Sequence, residues 1–329
     1  MSAVAPSTET PSKHKRIEAI DFARGLALVA MAIYHFSWDL EFFGYLDPGT
    51  TAFGGWKLFA RSIASSFLVL VGISLYLAHG KGVRWRPFLM RLAMIAGAAL
   101  AITVVTYLAV PSGFIFFGIL HEIALASLLG LAFLRLPAIV TAGVAVLVIA
   151  IPWFAGSTFF DHPAFWWVGL STIPPHSNDY VPVFPWFGAV LAGIALAQLP
   201  TGFGLMERLA AVPLPGTTPL QFIGRHSLGF YLIHQPVLIA AVWIYAQFAP
   251  AEQQPPEVQF RNACEAQCRP VRDEEFCARY CVCMLDELER NGIKEQVLTN
   301  DLSAPLTAQL QNLAGSCTAQ TDEEMGGAQ

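Results

Sequence analysis

Charge is the first scarcity in this chain. Only 13% of its 329 residues are Asp, Glu, Lys or Arg, against 55% hydrophobic, which is about half the charge of a typical soluble domain. A soluble globular protein of this length is excluded. Cysteine is absent from the first 263 residues, and all six cysteines lie between Cys264 and Cys317, so no thiol chemistry belongs to the apolar part. The first 15 residues are rich in Ser, Thr and Pro and lack the apolar core of a signal peptide; they read as a disordered lead-in. No internal period of 20–50 residues and no nucleotide-binding glycine fingerprint is present. Nucleic acid is not an expected partner. The net charge of -5 carries little meaning, because the acid collects in the C-terminal tail and the base in particular loops.

What the chain has is apolar length. Seven apolar segments lie near 18–40, 56–79, 88–110, 114–135, 137–155, 182–199 and 222–248, and crossing a hydrocarbon core takes roughly 20 helical residues. The expected fold is an all-α polytopic membrane protein with about seven transmembrane helices, occupying residues 16–249. The fourth and fifth segments are separated only by Leu136 and Pro137, which suggests a tight helical hairpin. Lys13, Lys15 and Arg16 precede the first segment. Lys81, Arg84 and Arg86 follow the second, Arg135 the fourth, and Arg208 and Arg225 the sixth. All fall on one side, with Lys57 as a boundary exception, so the positive-inside rule gives N-in/C-out.

That orientation puts the cysteine-rich tail outside the cytoplasm, where disulfides persist. A polar, Pro-rich linker (250–262) leads into residues 263–329. Cys264-x3-Cys268 and Cys277-x3-Cys281 each put two cysteines on one helix face. The favoured arrangement is an antiparallel helical hairpin stapled by Cys264–Cys281 and Cys268–Cys277, with Cys283–Cys317 as a third bridge. Six cysteines allow 15 pairings, so this is a preference among alternatives. Zinc is the rival reading, but the tail has no histidine and no CxxC, and no metal is expected. The tail reads as a stabilising or docking module, a place where a protein partner or a second copy of the chain could bind.

The apolar segments are not free of ionisable groups. In DFARGLALVAMAIYHFSWD, Asp21 and Arg24 open the first helix, and His35 and Asp39 stand near its end. At ~100° per residue, the 11 steps from Arg24 to His35 return to nearly the same direction, and the two lie roughly 16 Å apart along the axis. Charge at membrane depth is costly and usually marks a pathway or a site; interfacial anchoring explains the terminal residues alone but not His35. Further intramembrane groups are His121 and Glu122 in the fourth segment and His226 and His234 in the seventh, the last just ahead of Pro236. Arg84, Arg86 and Arg91 in KGVRWRPFLMR satisfy the positive-inside rule and also suit an anionic, nucleotide-like cofactor. FFDHPAFWWVGLSTIPPHSNDYVPVFPWFG carries Asp161, His162, Trp166, Trp167, His176 and Asp179, which form either a sugar site or an interfacial aromatic belt.

Four stretches taken together resemble a known family. RIEAIDFARGLALVAMAIYHFSWDL, IFFGILHEIALASLLGL, VPVFPWFGAVLAGIALA and IGRHSLGFYLIHQPV occur in the same order in bacterial members of the heparan-α-glucosaminide N-acetyltransferase catalytic-domain family. The resemblance covers residues 16 to about 245 and leaves out the cysteine-rich tail. The wider transmembrane acyltransferase superfamily, including the acyltransferase-3 proteins, carries Arg-x10-His in its first helix, which Arg24 and His35 match. The resemblance implies acyl transfer from cytosolic acetyl-CoA, as co-substrate, to an acceptor on the opposite face, typically a sugar or glycan. It also implies residence in a lipid bilayer, the bacterial inner membrane, with the tail periplasmic. There is one departure. The animal enzyme uses a histidine further along, and LEFFGYLDPGTTAFGGW contains none.

On this reading His35 is the general base, Asp39 orients its ring, and Arg24, restrained by Asp21, stabilises negative charge or holds the donor. His121 and Glu122 are second candidates for proton handling. Arg84, Arg86 and Arg91 hold CoA phosphates, and Trp38, His226 and His234 line the acceptor site. The main rival is a proton-coupled transporter or flippase using the same groups; a b-haem electron carrier and a membrane scaffold presenting the tail are the others.

Overall fold

The computed structural model describes residues 17–47, 49–173, 175–199, 219–251, 255–269, 271–299 and 304–326. The expected lead-in of residues 1–15, with Lys13, Lys15 and Arg16, and also Arg208, fall outside these. Among the described residues all regular structure is helical.

Among the described residues twelve α-helices follow one another: α1 Glu18–Phe42, α2 Gly54–His79, α3 Trp85–Ala109, α4 Ile119–Gly130, α5 Ala138–Ala150, α6 Val183–Gln198, α7 Pro219–Arg225, α8 Ser227–Phe248, α9 Pro256–Cys268, α10 Glu274–Arg290, α11 Lys294–Leu298 and α12 Ala304–Gly326. Among the described residues, only α1, α2, α3 and α8 are long and apolar enough to cross a membrane. The three remaining apolar segments become shorter helices of 12, 13 and 16 residues. Each has a local cause. α4 starts five residues later than the apolar run because its first turn is capped at Gly118, α5 gives way to a 3-10 turn at Ile151–Trp153 containing Pro152, and α6 begins only after Pro182.

The chain divides into two units, one comprising residues up to Val29 with Ile63–Leu232, the other Ala30–Ser62 with Ile233 onward. In the first unit α6 is the central element. Val190, Leu191 and Ile194 are fully buried and pack with Leu68 of α2 and Ala126 of α4. Lipid is as apolar as leucine, so such helices associate through close van der Waals contact rather than hydrophobic expulsion, and small residues permit it. Two glycine pairs provide that contact. A Cβ on Gly72 would lie 2.0 Å from the Val190 carbonyl oxygen, and one on Gly193 would lie 2.2 Å from that of Val69. Between α1 and α7, a Cβ on Gly25 would meet the Leu220 oxygen at 1.9 Å, and one on Gly224 would meet the Asp21 oxygen at 1.8 Å. Large apolar side chains stay exposed on the outside, among them Leu108, Ile139, Trp153 and Phe154. A surface of that kind belongs in contact with acyl chains, not water.

In the second unit, the last turns of α1 lead into a loop clamped by Glu41, whose carboxylate accepts bonds from Gly49 N at 2.6 Å, Thr51 N at 2.8 Å and Thr51 Oγ1 at 2.7 Å. Tyr45 donates to the Ala249 carbonyl at 2.5 Å. The tail helices belong to this unit. Cys277, Cys281, Met284 and Leu288 form the buried stripe of α10, spaced four, three and four apart as one face of a helix requires, and Asp273 caps its start by accepting from Phe276 N. The cysteines pair as Cys264–Cys281, Cys268–Cys277 and Cys283–Cys317. Arg272 lies over the Phe276 ring, 3.7 Å from its centroid, and pairs with Asp322 of α12. Lys294, held above the ordinary lysine range chiefly by its hydrogen bond to Glu289, also reaches Glu257 of α9. A module with so little core depends on covalent staples of this kind.

The glycine contact between α1 and α7 yields a contrast in sign. Gly224→Ala should destabilise the purified protein by about 3 kcal/mol or more, a fall in Tm of roughly 6–12 °C in detergent. Gly97→Ala, where nothing lies within 4 Å of the added Cβ, should leave Tm unchanged or raise it. Equal effects of the two substitutions would contradict the packing.

Candidate active site

Within the first unit, the close approach of Gly25 and Gly224 places α7 beside the start of α1. Asp21 is 2% exposed and bridges two guanidinium groups: Arg24 Nη1 lies 3.5 Å from one carboxylate oxygen and Arg225 Nε lies 3.6 Å from the other. Arg24 also donates to Ser74 Oγ, which donates in turn to the Leu70 carbonyl at 2.5 Å. Among the described residues the cluster brings Arg24 and Arg225 to one carboxylate. Sequence reasoning paired Asp21 with Arg24 from their spacing but treated Arg225 only as a topology marker.

In the second unit, α1 meets α8. The rings of His35 and His234 are 5.0 Å apart at 60°. One turn further along α1, Asp39 is fully buried, and its Oδ1 accepts a 2.6 Å bond from Gln235 Nε2. Asp39 therefore engages Gln235 rather than His35. His234 and Gln235 are successive on α8, and the residues they meet, His35 and Asp39, lie one turn apart on one face of α1. Pro236 lies inside α8 immediately after them and removes one rung of the helical ladder there. Trp38, half-buried, stacks on Phe42 with centroids 5.4 Å apart. Gln235 had no role in the sequence reading; its adjacency to His234 ahead of a proline was the available signal.

Of the other candidates, His121 has structural employment. His121 accepts from Gly118 N through Nδ1 at 3.2 Å, and its Nε2 lies 3.1 Å from Thr103 Oγ1. That hydroxyl already donates to the Ile115 carbonyl at 2.7 Å, so it accepts from the imidazole, and the network assigns the ring proton to Nε2. Both nitrogens are thus used, Nδ1 in capping α4 and Nε2 in tying it to α3. Asp179 completes the cap, accepting from Ile119 N at 3.0 Å and from the Tyr231 hydroxyl; burial pushes its carboxyl above the ordinary range. Glu122 is fully buried, and neither carboxylate oxygen has a hydrogen-bond partner among the described residues. His226 is exposed and turns back on Phe222.

Arg84, Arg86 and Arg91 are all exposed. Arg91 joins His79, Phe88 and Ser127 around a small pocket walled by aliphatic side chains of α2 and α3. The buried His79, which accepts from the Arg84 backbone N–H at 3.3 Å, was missed by sequence reasoning because it falls on the last residue of an apolar helix. In the loop before α6, most of the polar groups are committed to the loop itself. Trp166 Nε1 donates to the Asp161 carbonyl, Trp167 Nε1 to that of Ala164 and His176 Nδ1 to that of Ser112, while His162 caps a 3-10 turn. Among the described residues, no group of three or more His, Cys, Asp or Glu is arranged to hold a metal ion.

The family model described as heparan-alpha-glucosaminide N-acetyltransferase, catalytic, matches residues 16–236. The chain belongs to that family. The match takes in all of α1 and ends just past Gln235, so both residue pairs of the α1–α8 contact lie inside the catalytic domain, while the cysteine-rich tail lies outside it. This family comprises membrane acetyltransferases with acetyl-CoA as the donor. Neither a curated protein nor a solved structure matches the chain.

The loop before α6 offers a test of its organiser. Asp161 accepts from Ser171 Oγ, Thr172 Oγ1 and Thr172 N, each at 2.7 Å, and from Ile173 N at 3.4 Å. These bonds, the Ser171 hydroxyl foremost, hold its carboxyl below the ordinary value. A depressed folded-state pKa contributes stability that is complete above the unfolded value of about 4 and is lost as pH falls through the lower folded value. Hydrogen exchange at Thr172 and Ile173, corrected for intrinsic rate, should show protection at pH 7 that fades below about pH 4, and Asp161→Ala should lack it at every pH. Protection unaffected by that substitution would contradict the assignment.

Proposed function

We propose that this protein is a membrane-embedded transferase that moves an acetyl group from cytosolic acetyl-CoA to a hydroxyl or amine of an extracytoplasmic acceptor, a sugar or glycan. The observation that carries the reading is His35. It lies on the family-matched first helix, has no hydrogen bond to either ring nitrogen among the described residues, and faces His234 across a 5.0 Å ring contact. An imidazole free of structural duty can accept a proton through one ring nitrogen and later return it, as a general base requires.

His35 takes the proton of the acceptor O–H or N–H as that atom attacks the thioester carbonyl. The C–S bond breaks, the acetyl group passes to the acceptor, and the imidazolium returns its proton to the departing CoA thiolate. Arg24, fixed by Asp21 and Ser74, supplies positive charge for the donor. Arg225 adds to that charge, and Arg84, Arg86 and Arg91 contribute the attraction for CoA phosphates. His234 takes the place beside His35 that spacing alone had given to Asp39.

For this chemistry the chain lies N-in/C-out with seven crossings, the shorter α4, α5 and α6 included, and the cysteine-rich tail on the acceptor side. Support comes from the lysines and arginines of the short connections and from three disulfides in the tail.

Purified full-length protein should transfer label from acetyl-CoA to acceptor, or slowly to water, with His35→Ala reducing turnover by 10²–10⁴-fold, the usual range for loss of a general base. Accumulation of a substrate in vesicles with no acetyl transfer would contradict the proposal in favour of a transporter.

A further inference from the structure

Asp39 and Gln235 leave an imbalance. Gln235 Nε2 donates to Asp39 Oδ1, and this bond fixes the orientation of the amide, because the carboxylate can only accept. Gln235 Oε1 is then directed elsewhere. Among the described residues it is buried without a hydrogen-bond partner, and so is Asp39 Oδ2. Asp39 itself is fully buried. Two neighbouring acceptors are thus withheld from solvent with no donor supplied to either, although buried polar groups are paired in the great majority of cases. The missing component is a hydrogen donor. A carboxylate or phosphate, which brings only acceptors, does not fit.

The location gives the imbalance a purpose. Asp39 lies one helical turn from His35 on α1, a rise of about 6 Å, and Gln235 follows His234, whose ring contacts that of His35. We propose that Asp39 Oδ2 and Gln235 Oε1 form a binding site for a hydrogen-donating group of the acceptor, a hydroxyl or a protonated amine, and hold the acceptor next to His35. The reading of the protein as an acetyltransferase supplies only the ligand's role, not the chemistry of the site. Gln235 is a positioning residue in a double sense: its amide nitrogen holds the Asp39 carboxylate, and its amide oxygen receives the ligand. The carboxylate favours a cationic amine over a neutral hydroxyl.

The test is equilibrium binding to the full-length protein in lipid nanodiscs without acetyl-CoA, using tritiated D-glucosamine as the amine probe and tritiated D-glucose as the hydroxyl probe. Saturable binding to the native protein is expected. Gln235→Met should weaken both probes at least tenfold, whereas the near-isosteric Asp39→Asn should weaken glucosamine more than glucose and so erase the amine preference. A merely structural role would not change that preference, and thermal unfolding of each variant identifies any loss of fold. The proposal is overturned if neither probe binds the native protein, or if folded variants bind both probes as the native protein does. Binding that depends on Gln235 in a protein that transfers no acetyl group would support the site and sink the acetyltransferase reading instead.

Discussion

A hydrocarbon environment offers no hydrogen bonds, so each polar group placed there must find its partner within the protein. That constraint sorts the ionisable residues of this chain more clearly than their positions in the sequence do. Asp21 is balanced by Arg24 and Arg225. His121 has both ring nitrogens engaged, one closing the first turn of α4 and the other bonded to Thr103 of α3, and Asp179 closes the same turn from 60 residues away. Once these are set aside, the groups without a hydrogen-bond partner among the described residues include Glu122 in the first unit and, in the second, the His35 imidazole, Asp39 Oδ2 and Gln235 Oε1. Function is most naturally assigned to groups the fold does not need.

Glycine does the complementary work in the first unit. The α1–α7 and α2–α6 contacts are backbone against backbone, and the first of them is what brings Arg225 within reach of Asp21. An electrostatic cluster that reads as a matter of charge therefore rests on two missing Cβ atoms. Close approach of this kind is the main source of helix association in lipid, where burial of leucine gains little over leaving it against acyl chains.

Much of this was legible in the sequence, and the limits have physical reasons. Apolar runs of about 20 residues located the four long apolar helices α1, α2, α3 and α8, because length and hydropathy are local properties. The Cys-x3-Cys repeats pointed to the helical hairpin of the tail, because i,i+4 spacing fixes a face. Arg24 and Asp21 were recognisable as partners for the same reason. The late start of α4 was not legible, since the cap that sets it comes from Asp179 and His121 rather than from the apolar pattern. The partner of Asp39 was not legible either. Spacing on α1 alone favoured His35, four residues away, whereas the carboxylate bonds to Gln235 on another helix, 196 residues distant. His79 escaped notice because nothing in an apolar helix signals which of its polar ends will line a pocket.

The central claim is that a cytosolic acyl-CoA reaches this protein and surrenders its acetyl group there. Its most direct test is equilibrium binding of labelled acetyl-CoA to the folded full-length protein in sealed vesicles of known orientation. The account predicts saturable binding from the side bearing Arg84, Arg86 and Arg91, weakened when these are replaced together by alanine. Folded protein that binds no acyl-CoA from either side would contradict it.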